Sequence, residues 1–340
     1  MSNIYYPYRL SNGQVVCENN TLDVEMKSEC SFGDWSSYAY TTTNSTICYG
    51  NNLWIFIKKA SLPNQPQIYS NPDVTNSSTW TLRFNSTLAS FGMLPTSSCY
   101  GNLGFLLGGY GENDINSMGM YSPDGYSWSG TTITTGTTNG VNKVFYGNEK
   151  YIATDSTNSS NGSLDRVWTS INLTTWTNTL SITGGTGSFF SGIYNNGLYV
   201  TVGTGKLYTS SDGTTWTKRS GLYGSGVEPY DVNYGNGIYL VMFGQTTNIF
   251  TSTNGITWTS GMTTGITAGV EMCKFVNCRF ECITFDGTTS KQYYSTNGIN
   301  WIFENIISNI PWELKTDDKT LCTVAGAALN NGGIIYRKMI

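Results

Sequence analysis

Two short stretches of the chain place an aromatic side chain directly before a carboxylate. They are PYDVNY from Pro229 and PWELKT from Pro311, which makes Tyr230–Asp231 and Trp312–Glu313 equivalent pairs. An aromatic ring can stack on the C–H face of a sugar, and a neighbouring carboxylate can accept hydrogen bonds from its hydroxyls. These pairs are candidate ligand-binding residues. The alternative is that the rings only cap the interior of the fold.

Carboxylates are also the groups that a glycosidase would use, since such enzymes need two of them at a defined separation. The candidate acids are Glu112, Asp114, Glu228, Asp231, Glu271 and Glu313. The chain has no histidine, which removes the usual general base near neutral pH. It also contains no phosphate-binding glycine loop, nucleophile elbow or calcium loop. We therefore expect these acids to be solvated surface charges, and we predict no catalytic residues and no enzymatic activity.

Cysteine is the remaining residue type that could hold a metal. The eight cysteines are Cys17, Cys30, Cys48, Cys99, Cys273, Cys278, Cys282 and Cys322. The closest three form CKFVNCRFEC, and without histidine or a second paired knuckle this spacing disfavours a zinc site. We expect small buried side chains at Cys48 and Cys99, and a pairing of Cys17 with Cys30 stays open. No metal and no cofactor are predicted.

The composition excludes several classes of partner. Only 12% of the residues are charged, 14% are aromatic and the net charge is −4. A chain with no basic stripe is not expected to bind nucleic acid, and no apolar run is long enough to span a membrane. The start, MSNIYYPYRLSNG, lacks the pattern of a signal peptide. We expect a protein that is either cytoplasmic or exported by another route, such as packaging into a virus particle.

These residues must be positioned by a repeated unit. An aromatic followed by a Gly/Asn turn and an apolar strand recurs, as in YGNNLWIFI from Tyr49 and YGNGIYLVM from Tyr234. A tryptophan after a second turn recurs about every 44 residues, a length typical of a four-stranded propeller blade. The members of this second series are Trp35, Trp80, Trp128, Trp176, Trp216, Trp258 and Trp301. Asn-Gly and Asp-Gly before the tryptophan predict tight hairpins, and we expect the tryptophan to lie between neighbouring blades.

The repeat predicts an all-β fold, a seven-bladed β-propeller of four-stranded antiparallel blades. We expect residues 1–340 to form a single domain. The last unit supplies three strands and no tryptophan strand, whereas Trp35 near the start has no unit of its own. The ring is therefore predicted to close within one blade, in which residues 1–36 complete the strands of 311–340.

The second turn resembles the Asp-box, or BNR, repeat of sialidase-type propellers, which reads S-x-D-x-G-x-T-W. The stretches TSSDGTTW (209–216), TSTNGITW (251–258) and YSTNGINW (294–301) keep the glycine and the tryptophan, but the acidic or amide residue stands directly before glycine. The resemblance implies propeller architecture, and similar repeats occur in glycan-active proteins and in structural proteins of phages and viruses. A sialidase also needs three arginines that converge on a carboxylate. The six arginines here show no such grouping, so the resemblance does not imply that activity.

A ligand is expected at the mouth of the propeller channel, which is built by the start of each innermost strand. Counting four residues back from each anchor aromatic gives Ser45, Thr96, Asn142, Phe190, Tyr230, Glu271 and Trp312. The predicted ligand-binding residues are Asn142, Phe190, Tyr230, Asp231, Glu271, Trp312 and Glu313. Three long loops, 58–67, 108–119 and 154–165, form a second candidate surface on the same face.

These observations favour a non-enzymatic binding or structural propeller. We predict a virion or phage appendage protein, such as a fibre, spike or decoration, that engages a host glycan or a neighbouring structural protein. Its predicted location is the virion or an extracellular surface, with the cytoplasm as the alternative. A glycan-cleaving propeller and an intracellular protein-interaction scaffold remain the alternative functions.

Overall fold

The computed structural model describes sixteen segments of the chain, with side chains only within residues 45–307. The segments are 4–9, 15–20, 36–39, 45–59, 66–85, 93–111, 117–133, 140–155, 164–183, 188–219, 228–244, 246–276, 278–307, 311–316, 320–325 and 333–338. Almost all regular structure in these segments is β-strand, in agreement with the predicted all-β class. Valine, isoleucine, threonine and aromatic residues fill the strands, and their branched or broad side chains suit a pleated surface.

Three strands precede the first blade. They are β1 (Ile4–Arg9), β2 (Val15–Asn20) and β3 (Ser36–Ala39). Strands β1 and β2 pair with each other in an antiparallel two-stranded sheet. Strand β3 pairs instead with a strand from the other end of the chain.

Six blades are each built from four consecutive strands. Blade 1 comprises β4 (Ser45–Gly50), β5 (Leu53–Lys59), β6 (Pro66–Asn71) and β7 (Thr81–Asn85). Blade 2 comprises β8 (Met93–Gly101), β9 (Gly104–Gly111), β10 (Ser117–Ser122) and β11 (Ser129–Thr132). Blade 3 comprises β12 (Val141–Gly147), β13 (Lys150–Asp155), β14 (Leu164–Ser170) and β15 (Thr177–Thr183).

The second half of the chain repeats this order. Blade 4 comprises β16 (Phe189–Asn195), β17 (Leu198–Gly203), β18 (Lys206–Ser210) and β19 (Thr217–Lys218). Blade 5 comprises β20 (Pro229–Gly235), β21 (Ile238–Phe243), β22 (Asn248–Ser252) and β23 (Thr259–Met262). Blade 6 comprises β24 (Val270–Val276), β25 (Arg279–Phe285), β26 (Ser290–Ser295) and β27 (Ile302–Ile307).

The remaining strands form a composite sheet from both ends of the chain. It contains β28 (Pro311–Thr316), β29 (Thr320–Ala325) and β30 (Gly333–Lys338), with β3 paired to β30. The innermost strands contact one another in the order β4, β8, β12, β16, β20, β24 and β28, and β28 contacts β4 again.

The prediction of seven blades is wrong, since the structure has six. Six blades are units of four consecutive strands, and the remaining four-stranded sheet is the composite one. The strand that completes the composite sheet is β3, which begins at Ser36, directly after Trp35. Strands β1 and β2 pair with each other and with no other described strand.

The repeated aromatic-Gly-Asn triplet joins each blade to the one before it. Tyr100 of blade 2 lies so close to Gly50 of blade 1 that a Cβ at Gly50 would overlap its ring, and Phe275 of blade 6 lies in the same way against Gly235. The two residues after the glycine take positive φ in the turn, 49° and 56° at Asn51 and Asn52. The triplet therefore combines a ring, a space for the next ring and a tight turn.

A second contact between blades comes from tyrosines of the second strand in a blade. The Tyr199 hydroxyl donates to the Gly147 carbonyl at 2.5 Å, and the Tyr239 hydroxyl donates to the Asn195 carbonyl at 2.6 Å. Burial raises the pKa of both phenols, so they stay protonated and able to donate. Each bond satisfies a buried hydroxyl and a turn carbonyl at once.

The tryptophan turns are wider than the predicted tight hairpins, because Thr209 pairs with Thr217 in blade 4 and only Gly213, not Asp212, takes a positive φ. In blade 4 the Ser210 hydroxyl accepts from the Gly213 N–H at 2.8 Å, and Asp212 Oδ1 accepts from the N–H groups of Thr214 and Thr215 at 2.8 and 2.7 Å. These backbone bonds hold the pKa of Asp212 below its ordinary value, which confirms its assignment as a turn residue. Blades 2, 3, 5 and 6 repeat the same bonds.

The tryptophans lie between blades, as predicted. Trp176 of blade 3 donates to the Thr131 hydroxyl of blade 2 at 3.3 Å, and Trp216 of blade 4 donates to Thr179 of blade 3 at 3.2 Å. Trp301 of blade 6 is buried against core residues of blade 5. The apolar cores are therefore formed where neighbouring blades face each other, and each blade is stabilised by the next.

Candidate functional site

The antiparallel order of strands sends two kinds of connection to each end of the ring. The turns between first and second strands and between third and fourth strands lie at one end. The connections between second and third strands, and between successive blades, lie at the other end, where each innermost strand begins. We call this second end the mouth.

A β-bulge recurs at the mouth in six innermost strands. The pairing register shifts by one residue around the second or fourth residue of each strand. The bulged residues are Thr96, Asn142, Phe190, Tyr230, Glu271 and Trp312. They coincide with the predicted mouth positions, apart from Ser45, whose strand β4 has no register shift.

The bulge explains why these positions share a role. An extra residue on one strand is left unpaired, bends the strand and re-aims the side chain. The five bulged residues with described side chains are all partly exposed, although the residues next to them are mostly buried. Sequence periodicity alone could not locate the bulges, because an inserted residue interrupts the alternation of a strand. We call the six bulged residues the rim.

The rim has two chemically different sides. On the first side, the Thr96 hydroxyl oxygen lies 2.5 Å from the Val141 carbonyl oxygen and 3.0 Å from the Gly108 carbonyl oxygen, so its one O–H donates within the ring. The Asn142 amide donates to the Phe189 carbonyl of the next blade. These polar side chains hold neighbouring innermost strands together. The predicted ligand-binding residue Asn142 therefore already has a partner within the ring.

The second side of the rim is aromatic and acidic. The rings of Phe190 and Tyr230 meet edge to face at 5.8 Å between centroids and 66° between planes. The Tyr230 ring also packs on the backbone at Gly244, where a Cβ would overlap it. Burial raises the pKa of the Tyr230 phenol, and the carboxylates of Glu271 and then Glu228 raise it further. Glu228 stands two residues before Tyr230, and Glu271 has the same bulged position in the neighbouring innermost strand, which contacts β20. We call Phe190, Tyr230, Glu228 and Glu271 the aromatic–acidic arc.

Glu271 has an unusual position within this arc. It is half-buried, and burial raises the pKa of its carboxyl. Its carboxylate has no hydrogen bond or ion pair within the part of the chain that the structure describes. The same holds for the Tyr230 hydroxyl. The arc thus presents an acceptor and a donor that the ring leaves unused.

Asp231, the other predicted acid of blade 5, is used within the ring. One of its carboxylate oxygens accepts from the Ser191 hydroxyl at 2.6 Å, and the other accepts from Asn233 Nδ2 and the Cys273 N–H, each at 3.0 Å. The carboxylate therefore joins the innermost strands of blades 4, 5 and 6. Its geometry is that of a structural residue between blades rather than of a free ligand-binding acid.

The predicted pair Trp312 and Glu313 lies in β28, whose side chains are outside the described part of the structure. The backbone of β28 shows the same bulge as β20, between Pro311 and Glu313. Trp312 therefore occupies the rim position that follows Glu271 around the ring. The predicted equivalence of PYDVNY and PWELKT is reproduced at the level of strand register.

A second group of charged residues, between blades 3 and 4, was not predicted from the sequence. Asp155 and Asp165 are fully buried, and Lys206 of blade 4 forms an ion pair with Asp165. Arg166 donates its backbone N–H to Asp155 Oδ1 at 2.6 Å, and its guanidinium lies 3.7 Å from the same carboxylate. Burial raises the pKa of Asp155 to about 7 and lowers that of Lys206. We call these four residues the buried charge cluster.

The sequence held one signal for this cluster. Asp155 and Asp165 stand near the two ends of the long loop 154–165 in blade 3, a position that by itself indicates only surface charges. The fold brings them together because β13 and β14 are neighbouring strands. Lys206 comes from the next blade, which only the ring can place there.

Other predicted features lie partly outside the part of the chain that the structure describes. Most of the three long loops, 58–67, 108–119 and 154–165, lies beyond the described residues, as do Glu112, Asp114 and Cys30, and Cys17 is described only by its backbone in β2. Among the described residues, no helix is long and apolar enough to cross a membrane, and no three metal-ligating side chains are grouped. Cys48 is a buried thiol, as predicted, and Cys99 is a half-buried one, whereas Cys278 is disulfide-bonded.

Comparison with known proteins found no matching protein family and no similar curated protein. Solved structures, in contrast, show the same fold. A structure described as YCF48 bound to D1 peptide has a TM-score of 0.62 at 13% identity, and the match covers 91% of this chain and 98% of that one. A protein from Lactobacillus plantarum has a TM-score of 0.61 at 13% identity, over 86% of this chain and 92% of that one.

The WD40 β-propeller domain of Doa1 is also similar. Its TM-score is 0.57 at 12% identity, and the match covers 88% of this chain and 95% of that one. At such low identity the likeness concerns the fold alone. The chain therefore has the fold of a β-propeller.

Proposed function

We propose that this protein is a non-enzymatic binding propeller that attaches to another macromolecule through the rim at its mouth. The observation that carries the proposal is the aromatic–acidic arc. Phe190 and Tyr230 hold each other and the Gly244 backbone in place, while the Tyr230 hydroxyl and the Glu271 carboxylate have no partner among the described residues. A rigid aromatic surface with unused polar groups is typical of a recognition site.

The two kinds of partner expected from the sequence, a structural protein and a glycan, both suit such a surface. A protein partner is supported by the fold, since one propeller of similar structure is described as bound to a peptide. A glycan is supported by the aromatic rings, which could stack on a sugar. Catalysis has less support, because both oxygens of Asp231 are engaged in hydrogen bonds within the ring.

The proposed location is the surface of a virion or another extracellular surface, with the cytoplasm as the alternative. Low charge and abundant Gly, Ser, Thr and Asn support it. The disulfide at Cys278 supports it independently, because disulfides persist mainly in oxidising surroundings. In such a setting the propeller would display its mouth to a host glycan or to a neighbouring protein of the same assembly.

The test is a binding screen against immobilised glycans and immobilised peptides. The wild-type protein is compared with a Tyr230→Ala/Trp312→Ala double variant and with Tyr126→Ala. Tyr126 is an exposed tyrosine in a turn at the opposite end of the ring, so it controls for loss of an aromatic side chain. We expect binding that the double variant loses and the control keeps. Binding that survives the double variant, or no binding in either format, would contradict a site at the rim.

A further inference from the structure

The aromatic–acidic arc carries negative charge that no described cation pairs with. Glu228 is exposed and Glu271 is half-buried, and neither carboxylate has an ion pair among the described residues. The ion pairs of the described chain lie elsewhere, in blades 3, 4 and 6. A half-buried carboxylate loses hydration that an incoming cation would replace.

The rings of the arc favour a particular kind of cation. The planes of the Phe190 and Tyr230 rings meet at 66°. The carboxylates of Glu271 and Glu228 both raise the pKa of the Tyr230 phenol. An ammonium or guanidinium group can lie over an aromatic face and at the same time donate to a carboxylate. A neutral sugar could use the rings but would gain less from the charge.

We propose that the arc binds a lysine or arginine side chain of a partner polypeptide, held against Tyr230 and Phe190 and paired with Glu271. This inference rests on the proposed function, because it assumes that the mouth is the binding surface. It deepens that function by naming the chemistry of the partner as a basic segment. The Glu271 carboxylate is the charge partner, Glu228 adds to the field at the edge of the arc, and the rings set the direction of approach.

Hydrogen bonding distinguishes the arc from the other side of the rim. Thr96 and Asn142 are already bonded to carbonyls of the ring. A ligand there would have to break bonds between innermost strands. The arc can take a cation without disturbing a bond among the described residues.

The experiment uses four short peptides that differ in one central residue. Each is an acetylated and amidated Gly-Ser peptide carrying lysine, arginine, norleucine or acetyl-lysine at its centre. Binding to the full-length protein is measured by ligand-observed NMR titration, which detects weak association. We expect the lysine and arginine peptides to bind at least about tenfold more tightly than the norleucine and acetyl-lysine peptides. The preference should disappear in Glu271→Gln and in Tyr230→Ala.

The matched control is Glu149→Gln, which removes an exposed carboxylate from a turn at the opposite end of the ring. It should keep the preference. Equal binding of the charged and neutral peptides, or a preference that Glu271→Gln keeps, would overturn the inference. If neutral glycans or neutral peptides bind and only Tyr230→Ala abolishes their binding, the cation inference fails and the proposed function stands. If nothing binds in a way that depends on Tyr230, both fail.

Discussion

Leu173 offers a sharp test of how the hairpins shape the blades. In four of the tryptophan hairpins the residue after Asp or Asn is a glycine with φ between 69° and 80°, whereas blade 3 has Leu173 at φ 65°. Its side chain is nevertheless buried, in a core that includes Leu106 and Ile133 of blade 2. The position therefore combines a backbone that favours glycine with a pocket that favours leucine.

The two effects can be separated by comparing alanine with glycine. Both substitutions remove the buried leucine side chain, which costs about 2–5 kcal/mol. They differ in the backbone. A non-glycine residue in the left-handed region costs about 1–2 kcal/mol, while glycine loses about 0.5–1 kcal/mol more than alanine through its freedom in the unfolded chain. Alanine also keeps a buried β-carbon, which is worth about 0.8 kcal/mol at any buried position. We therefore expect the stability of the glycine variant, relative to the alanine variant, to be about 1–2 kcal/mol higher at Leu173 than at a buried leucine outside the left-handed region.

The control is the same pair of substitutions at Leu207, a fully buried leucine of β18 that is not in the left-handed region. There Leu207→Ala should be more stable than Leu207→Gly by about 1–2 kcal/mol, because the glycine freedom and the lost β-carbon act without the left-handed penalty. The assay is urea denaturation followed by tryptophan fluorescence. If the difference between the glycine and alanine variants is the same at both positions, the left-handed backbone at Leu173 does not influence stability and the reasoning is refuted.

Three further predictions concern packing and charge between blades. Gly235→Ala should destabilise the fold by about 1–3 kcal/mol, because its Cβ would overlap the aromatic ring of the next blade. Gly261→Ala, where a Cβ meets only ordinary contacts, should not lower the denaturation midpoint, and equal losses would contradict this account. Lys206→Met should cost about 3–5 kcal/mol because Asp165 would be left buried without its counter-charge, and adding Asp165→Asn should recover much of that loss. Since burial raises the pKa of Asp155 to about 7, the folded state holds this proton more tightly than the unfolded chain, and stability should fall as the pH rises from about 4 to about 7. Asp155→Asn should flatten that slope in denaturation series at several pH values, and an unchanged slope would rule Asp155 out as its source.

The repeat made much of the fold predictable. The aromatic-Gly-Asn triplets and the Asp-Gly or Asn-Gly hairpins depend on neighbouring residues, so they predicted β-strands, turns and a propeller. The turn role of Asp212 and the burial of the tryptophans between blades followed from the same local rules. The composite sheet was harder to define, because pairing between β3 and β30 joins residues far apart in the chain.

The candidate site was predictable in position and less so in chemistry. Counting back from the anchor aromatics located Phe190, Tyr230 and Glu271 at the rim, since every unit has the same length there. The count could not show that Asp231 is bonded to blades 4 and 6, or that Glu271 is left without a partner among the described residues. Those outcomes depend on which side chains of the next blade come within reach.

The sequence by itself determined the repeating unit, its turns and the place of the mouth, because these follow from short-range backbone preferences and spacing. Only the tertiary structure decided which N-terminal strand joins the composite sheet, which residues bulge and which charges are buried. Asp165 and Lys206 illustrate the reason. They lie in different blades, and their ion pair exists only because ring closure presses one sheet against the next and excludes water from both.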